Sequence, residues 1–338
     1  MNQLFLQAMQ ATDGRLDMAA LRPYMNRRGQ PVVAVNNREV MVQNALLRRY
    51  EWEQIDAAVL DVVRAPNVAL ADFLRLGLTQ PLDGLGVLIS SYDQLGDMTP
   101  ADLSMEGLVR GQQDSIPFIP QSIPVPLIYK DFQFSLRHLE ASRRGNGEAL
   151  DTTQARVATR RVQDRFDDII FNCETTKLGP NVIYGLSNKP QRMHKTSADC
   201  GGGAFATNGN FYKTLNGAIG FLQAAGYYGP YGVYIARSAY SDTQHLITNT
   251  AVSEFSAALG QIPGVSFAKA ADKLAAGSML VWQLSSDVAD IAIAQDITPV
   301  QWENSGGFMI DFRVFTALTI RVKHDANDNC GIVHVTGC

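Results

Sequence analysis

Cysteine is scarce in this chain, and its cysteines form no recognisable redox or ligand motif. The four among 338 residues are Cys173, Cys200, Cys330 and Cys338, and no two of them make a CxxC pair. Isolated cysteines of this kind are typical of reduced thiols in a cytosolic setting. His194 near Cys200 is a weak indication of zinc, but clustered ligands are missing. The sequence therefore predicts neither a disulfide framework nor a metal centre.

Long apolar runs and secretory features are also missing. No run reaches the roughly eighteen apolar residues that a membrane-spanning helix needs. The first ten residues, MNQLFLQAMQ, have no basic region ahead of an apolar core, so we expect no signal peptide. Because 46% of the residues are hydrophobic and 18% are charged, the chain can bury a core and is not disordered as a whole. We predict no membrane partner.

The sequence contains no motif that anchors an enzymatic function. The glycine run at residues 201–203 lacks the GxxxxGK[ST] spacing of a phosphate-binding loop. Asp325, Asn327 and Asn329 resemble the start of a calcium loop, but the glycine is one place late and no glutamate closes the loop. The histidines form no HExxH pair, and no GxSxG is present. We predict a non-enzyme without catalytic, cofactor-binding or metal-binding residues.

Charge is weak overall and unevenly distributed. The net charge of −4 leaves no global footprint for nucleic acid. Residues 1–49, however, hold seven arginines and three acidic residues, a net of +4 that leaves −8 on the remainder. A basic arm on an acidic body could contact nucleic acid or an acidic patch on a neighbouring molecule. Scattered arginines on an ordinary surface are an equal alternative.

The strongest helix signal follows Asp151. Asp151 and Gln154 resemble a capping box. Apolar residues then recur at three-four spacing and build one face. They are Ala155, Ala158, Val162, Phe166, Ile169 and Ile170.

The remaining surface of this helix is charged, and a solvated face with weak ion pairs is the simpler interpretation. The alternative is contact with neighbouring subunits, for which the candidates are Arg160, Arg161, Asp164 and Arg165.

A proline-rich, apolar segment precedes this helix. Residues 115–128, SIPFIPQSIPVPLI, hold four prolines, which excludes a helix or a central strand and favours extended segments or edge strands. Residues 143–147 form a basic, flexible turn. A lone loop with so much apolar surface would aggregate, so we predict that it packs on another copy of the protein. The contact candidates are Phe118, Ile119, Ile123, Lys130, Phe132, Phe134, Arg143 and Arg144.

Periodicity predicts most of the other elements. Helices are expected over residues 44–64, 68–76, 210–225 and, with Ser238 as its cap, 238–248. A turn or short helix is expected at 97–107, and a loop-rich stretch at 179–209. A turn followed by a buried strand is expected over 228–236, and strands are expected at 278–284, 290–297 and 332–335. Alternation over residues 308–323 predicts one long strand, or two joined by a bulge.

Five segments in this order resemble the encapsulin and linocin-like branch of the Hong Kong 97-type capsid fold, which tailed-phage major capsid proteins share. They are NALLRRYEWEQIDAAVLDVVR, VPLIYKDFQFSLRHLEASRRGNGEALDTTQARVATRRVQDRFDDIIFN, GPYGVYIARSAY, DIAIAQDITPVQW and FMIDFRVFTALTIRVKHDANDNCGIVHV. The first is similar to the family's N-terminal helix with its Trp-x-x-Ile-Asp, and the second to its extended loop and spine helix. The fourth has Ala294 where the family has glycine.

The resemblance implies an α+β fold built from six segments. They are an N-terminal arm (1–43), N-terminal helices and the start of a peripheral domain (44–110), an extended loop (111–150), the spine helix and peripheral domain (151–207), an axial domain (208–297), and the long strand with its return strand (298–338).

The resemblance also implies a structural function without cofactors. Many copies would assemble as hexamers and pentamers, each loop lying on an adjacent subunit. Residues 1–43 have no counterpart in typical encapsulins, and this basic arm favours a tailed-phage major capsid protein. Such a protein forms the virion capsid, assembles in the host bacterial cytoplasm, and contacts packaged double-stranded DNA non-specifically; scaffold, portal or decoration proteins are candidate partners. The alternative is an encapsulin shell that packages a cargo enzyme, and an enzyme of unknown type is a distant third.

Overall fold

A computed structural model describes the chain in a series of ranges. They are 24–25, 31–35, 38–41, 49–63, 68–95, 103, 105, 118–135, 152–172, 177–178, 181–247, 252–304, 309–325 and 328–338. The expectations for the first part of the arm and for the turn that holds Arg143 and Arg144 lie outside these ranges, as does nearly all of the segment at 97–107.

The chain divides into two compact units. Unit 1 comprises Met1–Ala65, Tyr129–Val162 and Ile297–Phe315. Unit 2 comprises Pro66–Ile128, Gln163–Asp296 and Thr316–Cys338. Our six-segment division of the sequence has different boundaries from these units and stays a prediction.

Helices and strands alternate along the described residues. The helices are α1 (Arg49–Val63), α2 (Val68–Leu76), α3 (Thr153–Phe171), α4 (Asn210–Ala224), α5 (Arg237–Tyr240) and α6 (Glu254–Gln261), with 3-10 turns at Gly84–Gly86 and Ser241–Gln244. The strands are β1 (Tyr24–Met25), β2 (Pro31–Val35), β3 (Arg38–Met41), β4 (Thr79–Pro81), β5 (Ile89–Leu95), β6 (Phe118–Pro124), β7 (Leu127–Ser135), β8 (Lys177–Leu178), β9 (Asn181–Val182), β10 (Met193–Thr196), β11 (Tyr231–Ala236), β12 (Val265–Ala271), β13 (Ser278–Gln283), β14 (Ala289–Asn304), β15 (Met309–Val322) and β16 (Ile332–Thr336).

A five-stranded mixed sheet organises unit 2. Its order is β10-β16-β13-β11-β12, with parallel pairs at both edges and antiparallel pairs in the centre. All six residues of β11 are buried, as expected for a central strand with an apolar sequence. On one face, Val233 and Val281 pack in a core with Phe211 and Leu222 of α4 and Ala258 of α6. The apolar spacing of α4 therefore supplies the layer that covers this face.

The opposite face of the same sheet is covered by aromatic side chains. Trp282 stacks on Phe73 of α2, with ring centroids 5.0 Å apart. Tyr234 meets Phe171, the last residue of α3, edge to face at 5.1 Å. Helices α2 and α3 are thus anchored to the sheet through large buried rings, each of which removes much apolar surface from water.

The long terminal strand lies in a second sheet, of order β4-β14-β15-β7. Strand β15 is continuous over 14 residues, and its alternation buries Ile310, Phe312 and Val314 while Met309, Asp311 and Arg313 are partly exposed. This confirms the prediction of one long strand, but the expected burial of one face holds only for its first half, because all residues from Thr316 to Val322 are buried. The predicted apolar face of α3 is also confirmed, because each of its six residues is at most 3% exposed.

Two predictions at the element level are wrong. The helix expected over 238–248 is only the short α5 followed by a 3-10 turn, and Ser238 lies inside α5. Its hydroxyl accepts a hydrogen bond from the Gly277 N–H at 3.2 Å instead of capping the helix. The strand expected at 290–297 is present but was predicted too short, because it continues through Pro299 to Asn304.

Sequence patterns missed β10, α6 and β12. Helix α6 is only eight residues long, yet it has a recognisable start, since the Ser253 hydroxyl accepts the Ser256 N–H at 3.2 Å. Strand β10 is four residues long and gains its pairing from β16, which lies far away in the sequence. Short elements of this kind carry too few residues for periodicity to reveal them.

Candidate assembly surface

The proline-rich segment forms a two-stranded antiparallel ribbon. Strand β6 pairs with β5 in continuous register, from Ile89 opposite Pro124 to Leu95 opposite Phe118. Prolines are compatible with β6 because a two-stranded ribbon has no central strand, and a missing N–H can point away from the partner. The expected extended conformation is therefore present in this part of the chain.

The ribbon presents apolar groups to solvent. Ile119 of β6 is 47% exposed and Ile89 of β5 is 52% exposed, and Leu88, just before β5, is 74% exposed. Ile123 is only 9% exposed and belongs to the interior of its own subunit. Phe118 begins β6, and its side chain lies outside the described part of the structure. Of the candidates on β6, Ile119 thus offers the largest described apolar surface.

Strand β7 places its aromatic residues against the long strand of the same chain. Phe132 stacks on Phe312 with centroids 5.1 Å apart, and Phe134 meets Phe312 edge to face at 5.5 Å. Phe134 is 5% exposed, so little of its surface is left for a neighbouring subunit. Lys130 is exposed. That these residues contact a neighbour stays a prediction.

An aromatic cluster around Arg313 was missed by the sequence analysis. The Arg313 guanidinium donates to both carboxylate oxygens of Asp131, at 2.6 and 2.7 Å, and this hydrogen bonding lowers the pKa of Asp131. It also lies over the rings of Tyr129, at 4.2 Å, and Trp302, at 5.2 Å. Tyr129 and Trp302 are 53% and 38% exposed, so the cluster is a surface feature of unit 1. The alternation of apolar and polar residues in β15 could have indicated that Arg313 lies on the more exposed face of the strand.

The charged side chains of α3 are distributed as a solvated helix surface. Arg160, Arg161 and Arg165 are exposed, and Asp164 is half-buried. Arg156 of α3 forms an ion pair with Asp61 of α1 at 3.6 Å. An exposed pair of this kind contributes little to stability. The predicted contacts of these residues with neighbouring subunits stay predictions.

Neither a metal-binding cluster nor a disulfide is found among the described residues. Within them, no group of three or more His, Cys, Asp or Glu residues could hold a metal ion. The cysteines described are free thiols, and burial raises the pKa of Cys330 to about 12, which leaves it unreactive. None of the helices in the described ranges is long and apolar enough to span a membrane.

Solved structures with a similar fold are shells. A virus-like particle from Pyrococcus furiosus matches with a TM-score of 0.59 and 16% identity, over 85% of this chain and 99% of that one. The capsid of the Myoviridae phage XM1 matches with a TM-score of 0.57 and 16% identity, over 79% and 91%. The chain has the α+β Hong Kong 97-type capsid fold, as its sequence predicted.

This fold defines a protein of the class that includes phage capsid proteins and encapsulin-like shells. The chain belongs to a family of unknown function (DUF6260), whose sequence model matches residues 41–335. A curated relative, the type 1 encapsulin shell protein EncA of Myxococcus xanthus (strain DK1622), is 26% identical over 280 residues, which are 82% of this chain and 91% of the relative.

Proposed function

We propose that the chain is the major capsid protein of a tailed bacteriophage and assembles, as hexamers and pentamers, into an icosahedral shell around double-stranded DNA. The observation that carries the proposal is the fold, which matches shell structures over 79% of the chain or more. The role is structural and needs no catalytic group.

The exposed ribbon supports self-association. Leu88, Ile89 and Ile119 leave 74%, 52% and 47% of their surface in water in the single subunit. Burying apolar surface yields about 25 cal/mol per Å², so covering these side chains favours contact with another copy. A single contact of this size is weak, but the same contact repeated with closed symmetry stabilises a whole shell.

The basic N-terminal segment favours a capsid over a cargo compartment. Residues 1–49 carry a net charge of +4, of which residues 1–43 contribute +2 and Arg48 and Arg49 of the following segment contribute the rest, on a chain whose remainder carries −8. Arginines of this kind bind phosphate groups without sequence preference and release counterions, which fits DNA packaged at high density. The protein would then be part of the virion, assembled in the host cytoplasm, with scaffold, portal or decoration proteins as further partners.

An encapsulin shell is the second candidate. It is favoured by the similarity to EncA, which extends over 91% of that relative. In this case the shell would enclose a cargo enzyme instead of DNA, and the basic segment would have another role.

Electron microscopy of the purified protein tests the assembly, and absorbance at 260 and 280 nm of the same fraction tests the contents. We expect closed icosahedral particles.

Neighbouring portal and terminase genes would support the capsid, whereas a neighbouring peroxidase or ferritin-like gene with a terminal targeting peptide would support the encapsulin. A monodisperse monomer or dimer that persists after co-expression with the candidate scaffold or cargo would refute both.

A further inference from the structure

A buried carboxyl group with little compensation lies where α3 meets α2. Asp167 of α3 is 7% exposed. Its Oδ1 atom is buried and has no hydrogen-bond partner among the described residues. The backbone of Leu70, in the first turn of α2, hydrogen-bonds the carboxyl group. Since the N–H groups of a first helical turn lack partners inside the helix, Asp167 caps α2 from a neighbouring helix.

Asp72, a second buried carboxylate of unit 2, shows which neighbours stabilise a buried negative charge. It is 0% exposed. It accepts hydrogen bonds from the Tyr234 hydroxyl at 3.1 Å and from the Lys269 ammonium group at 2.5 Å, and Arg75 lies 3.5 Å away. Burying a charge is costly unless cations and donors replace its water, and Asp72 has both.

Asp167 has no comparable cation. Lys273 attracts it electrostatically but makes its ion pair with Asp168, at 3.0 Å from Nζ to Oδ1. Burial is the main cause that raises the pKa of Asp167 to about 7, and the carboxylates of Asp164 and Asp168 raise it further.

The charged surroundings of this site are dominated by carboxyl groups. The groups that act on Asp167 are Asp164 and Asp168 on α3, Lys273 just after β12 and Tyr234 on β11. Asp72 and Arg75 on α2 act on Tyr234, and Lys269 on β12 pairs with Asp72.

We propose that Asp167 keeps a proton in the folded protein and forms a pH-sensitive link between α3 and the first turn of α2. The protonated carboxyl is neutral and tolerates burial with one hydrogen-bond donor. When the proton leaves, a charge stays buried without a paired cation, and the α2–α3 contact is weakened. This link is a property of the subunit and does not depend on the proposed shell function.

The sign of the pH effect follows from where the proton binds. In the unfolded chain an aspartic acid titrates near pH 4, so between about pH 4 and pH 7 the folded state binds one more proton than the unfolded state. Through Asp167, the folding equilibrium constant therefore falls about tenfold for each pH unit in this window. Above pH 7 both states have lost the proton, and the contribution of Asp167 no longer changes.

Urea unfolding of the full chain at pH 5 to 8 tests the link with Asp167→Asn, which keeps the size and removes the titration. The ratio of its folding equilibrium constant to that of the wild type should rise about tenfold per pH unit from pH 5 to 7 and then level off. Asp61→Asn, at a carboxyl whose side chain is 71% exposed, is the control and should show no such rise. A ratio for Asp167→Asn that is constant from pH 5 to 7 would overturn the proposal.

Hydrogen exchange of the wild type tests the same link without a variant, in case Asp167→Asn does not fold. After correction for intrinsic rates, amides of residues 68–76 should lose protection between pH 6 and 8 relative to those of residues 210–224. Parallel changes in the two helices would contradict the link.

Discussion

Strand β15 holds two arginine–aspartate pairs of the same geometry in different surroundings. Arg321 donates to Asp290 at 2.6 and 2.5 Å, and the two side chains are 3% and 6% exposed. Lys323 adds a hydrogen bond to Asp290 at 3.0 Å. Arg313 likewise donates two hydrogen bonds to the carboxylate of Asp131, but these side chains are 33% and 44% exposed. Burial is the main difference between the two pairs. It determines how much the free energy of unfolding falls when one partner of the pair is removed.

Removing the carboxylate of the buried pair should therefore be far more damaging. We expect Asp290→Asn to lower the free energy of unfolding by about 3–5 kcal/mol, because the Arg321 charge is then left buried and poorly compensated. Asp131→Asn should cost less than about 1 kcal/mol, since water solvates the exposed Arg313. Urea unfolding of both variants at pH 7 measures the difference. Equal losses would show that burial does not set the strength of these pairs.

At the scale of the element, two glycines of α4 differ in the space around them. A Cβ atom at Gly217 would lie 2.1 Å from the carbonyl oxygen of Cys200, a backbone atom that cannot move aside cheaply. A Cβ atom at Gly220 would meet nothing within 4 Å. Gly217 is thus required by close packing of α4 on the preceding turn, whereas Gly220 only lowers helix propensity.

Alanine substitution should move stability in opposite directions at these positions. Gly220→Ala should raise the free energy of unfolding by about 0.5–1 kcal/mol, because alanine restricts the unfolded chain and favours the helix. Gly217→Ala should lower it by about 1–3 kcal/mol, because the new methyl group forces α4 away from Cys200. Thermal unfolding of the two variants checks both signs, and a stabilised Gly217→Ala protein would show that this packing is loose.

Elements with a long, regular pattern were predictable from the sequence. The expected bounds of α2, residues 68–76, are those observed. The apolar face of α3 and the length of β15 also appear as predicted, although the alternation of β15 between buried and partly exposed residues ends at Phe315. In each case the signal is local, because the period of the side chains matches the period of the backbone. The extended conformation of the segment that holds Ile119 was likewise predictable from its proline density.

Features that depend on distant partners were not predictable. Strand β10 exists because it pairs with β16, its residue His194 lying opposite His334. The Asp290–Arg321 pair and the cluster of Arg313 with Trp302 also join separate strands, and no local pattern indicates which partner each arginine meets. Lys269 and the buried Asp72, which form an ion pair, likewise come from separate elements. Periodicity indicates which side of an element is buried, but not what it packs against.

At the scale of the whole molecule, assembly needs surface that folding leaves uncovered. The five-stranded sheet of unit 2 has apolar side chains packed on both faces, by α4 and α6 on one and by Phe73 and Phe171 on the other. The β5–β6 ribbon instead keeps Ile119 largely in water. A closed shell repeats each contact in every subunit, so a small change at this position is multiplied over the particle.

We therefore expect Ile119→Asp to prevent shell assembly while the subunit stays folded. A carboxylate at this position would have to lose its water in each contact, at a cost of several kcal/mol when no cation pairs with it. Ser122→Asp, at another exposed position of β6, is the matched control and should still form particles. Phe118→Asp extends the test to the first residue of the strand.

Particle yield by electron microscopy and size-exclusion chromatography measures the outcome, and circular dichroism confirms the fold. Loss of particles in Ile119→Asp alone would place the contact at that side of β6. Loss in both Ile119→Asp and Ser122→Asp would mean that β6 as a whole tolerates no added charge. Normal particles with Asp at position 119 would exclude this face of the ribbon from the contact. The cluster of Tyr129, Trp302 and Arg313 would then be the next surface to test, because its two rings are 53% and 38% exposed.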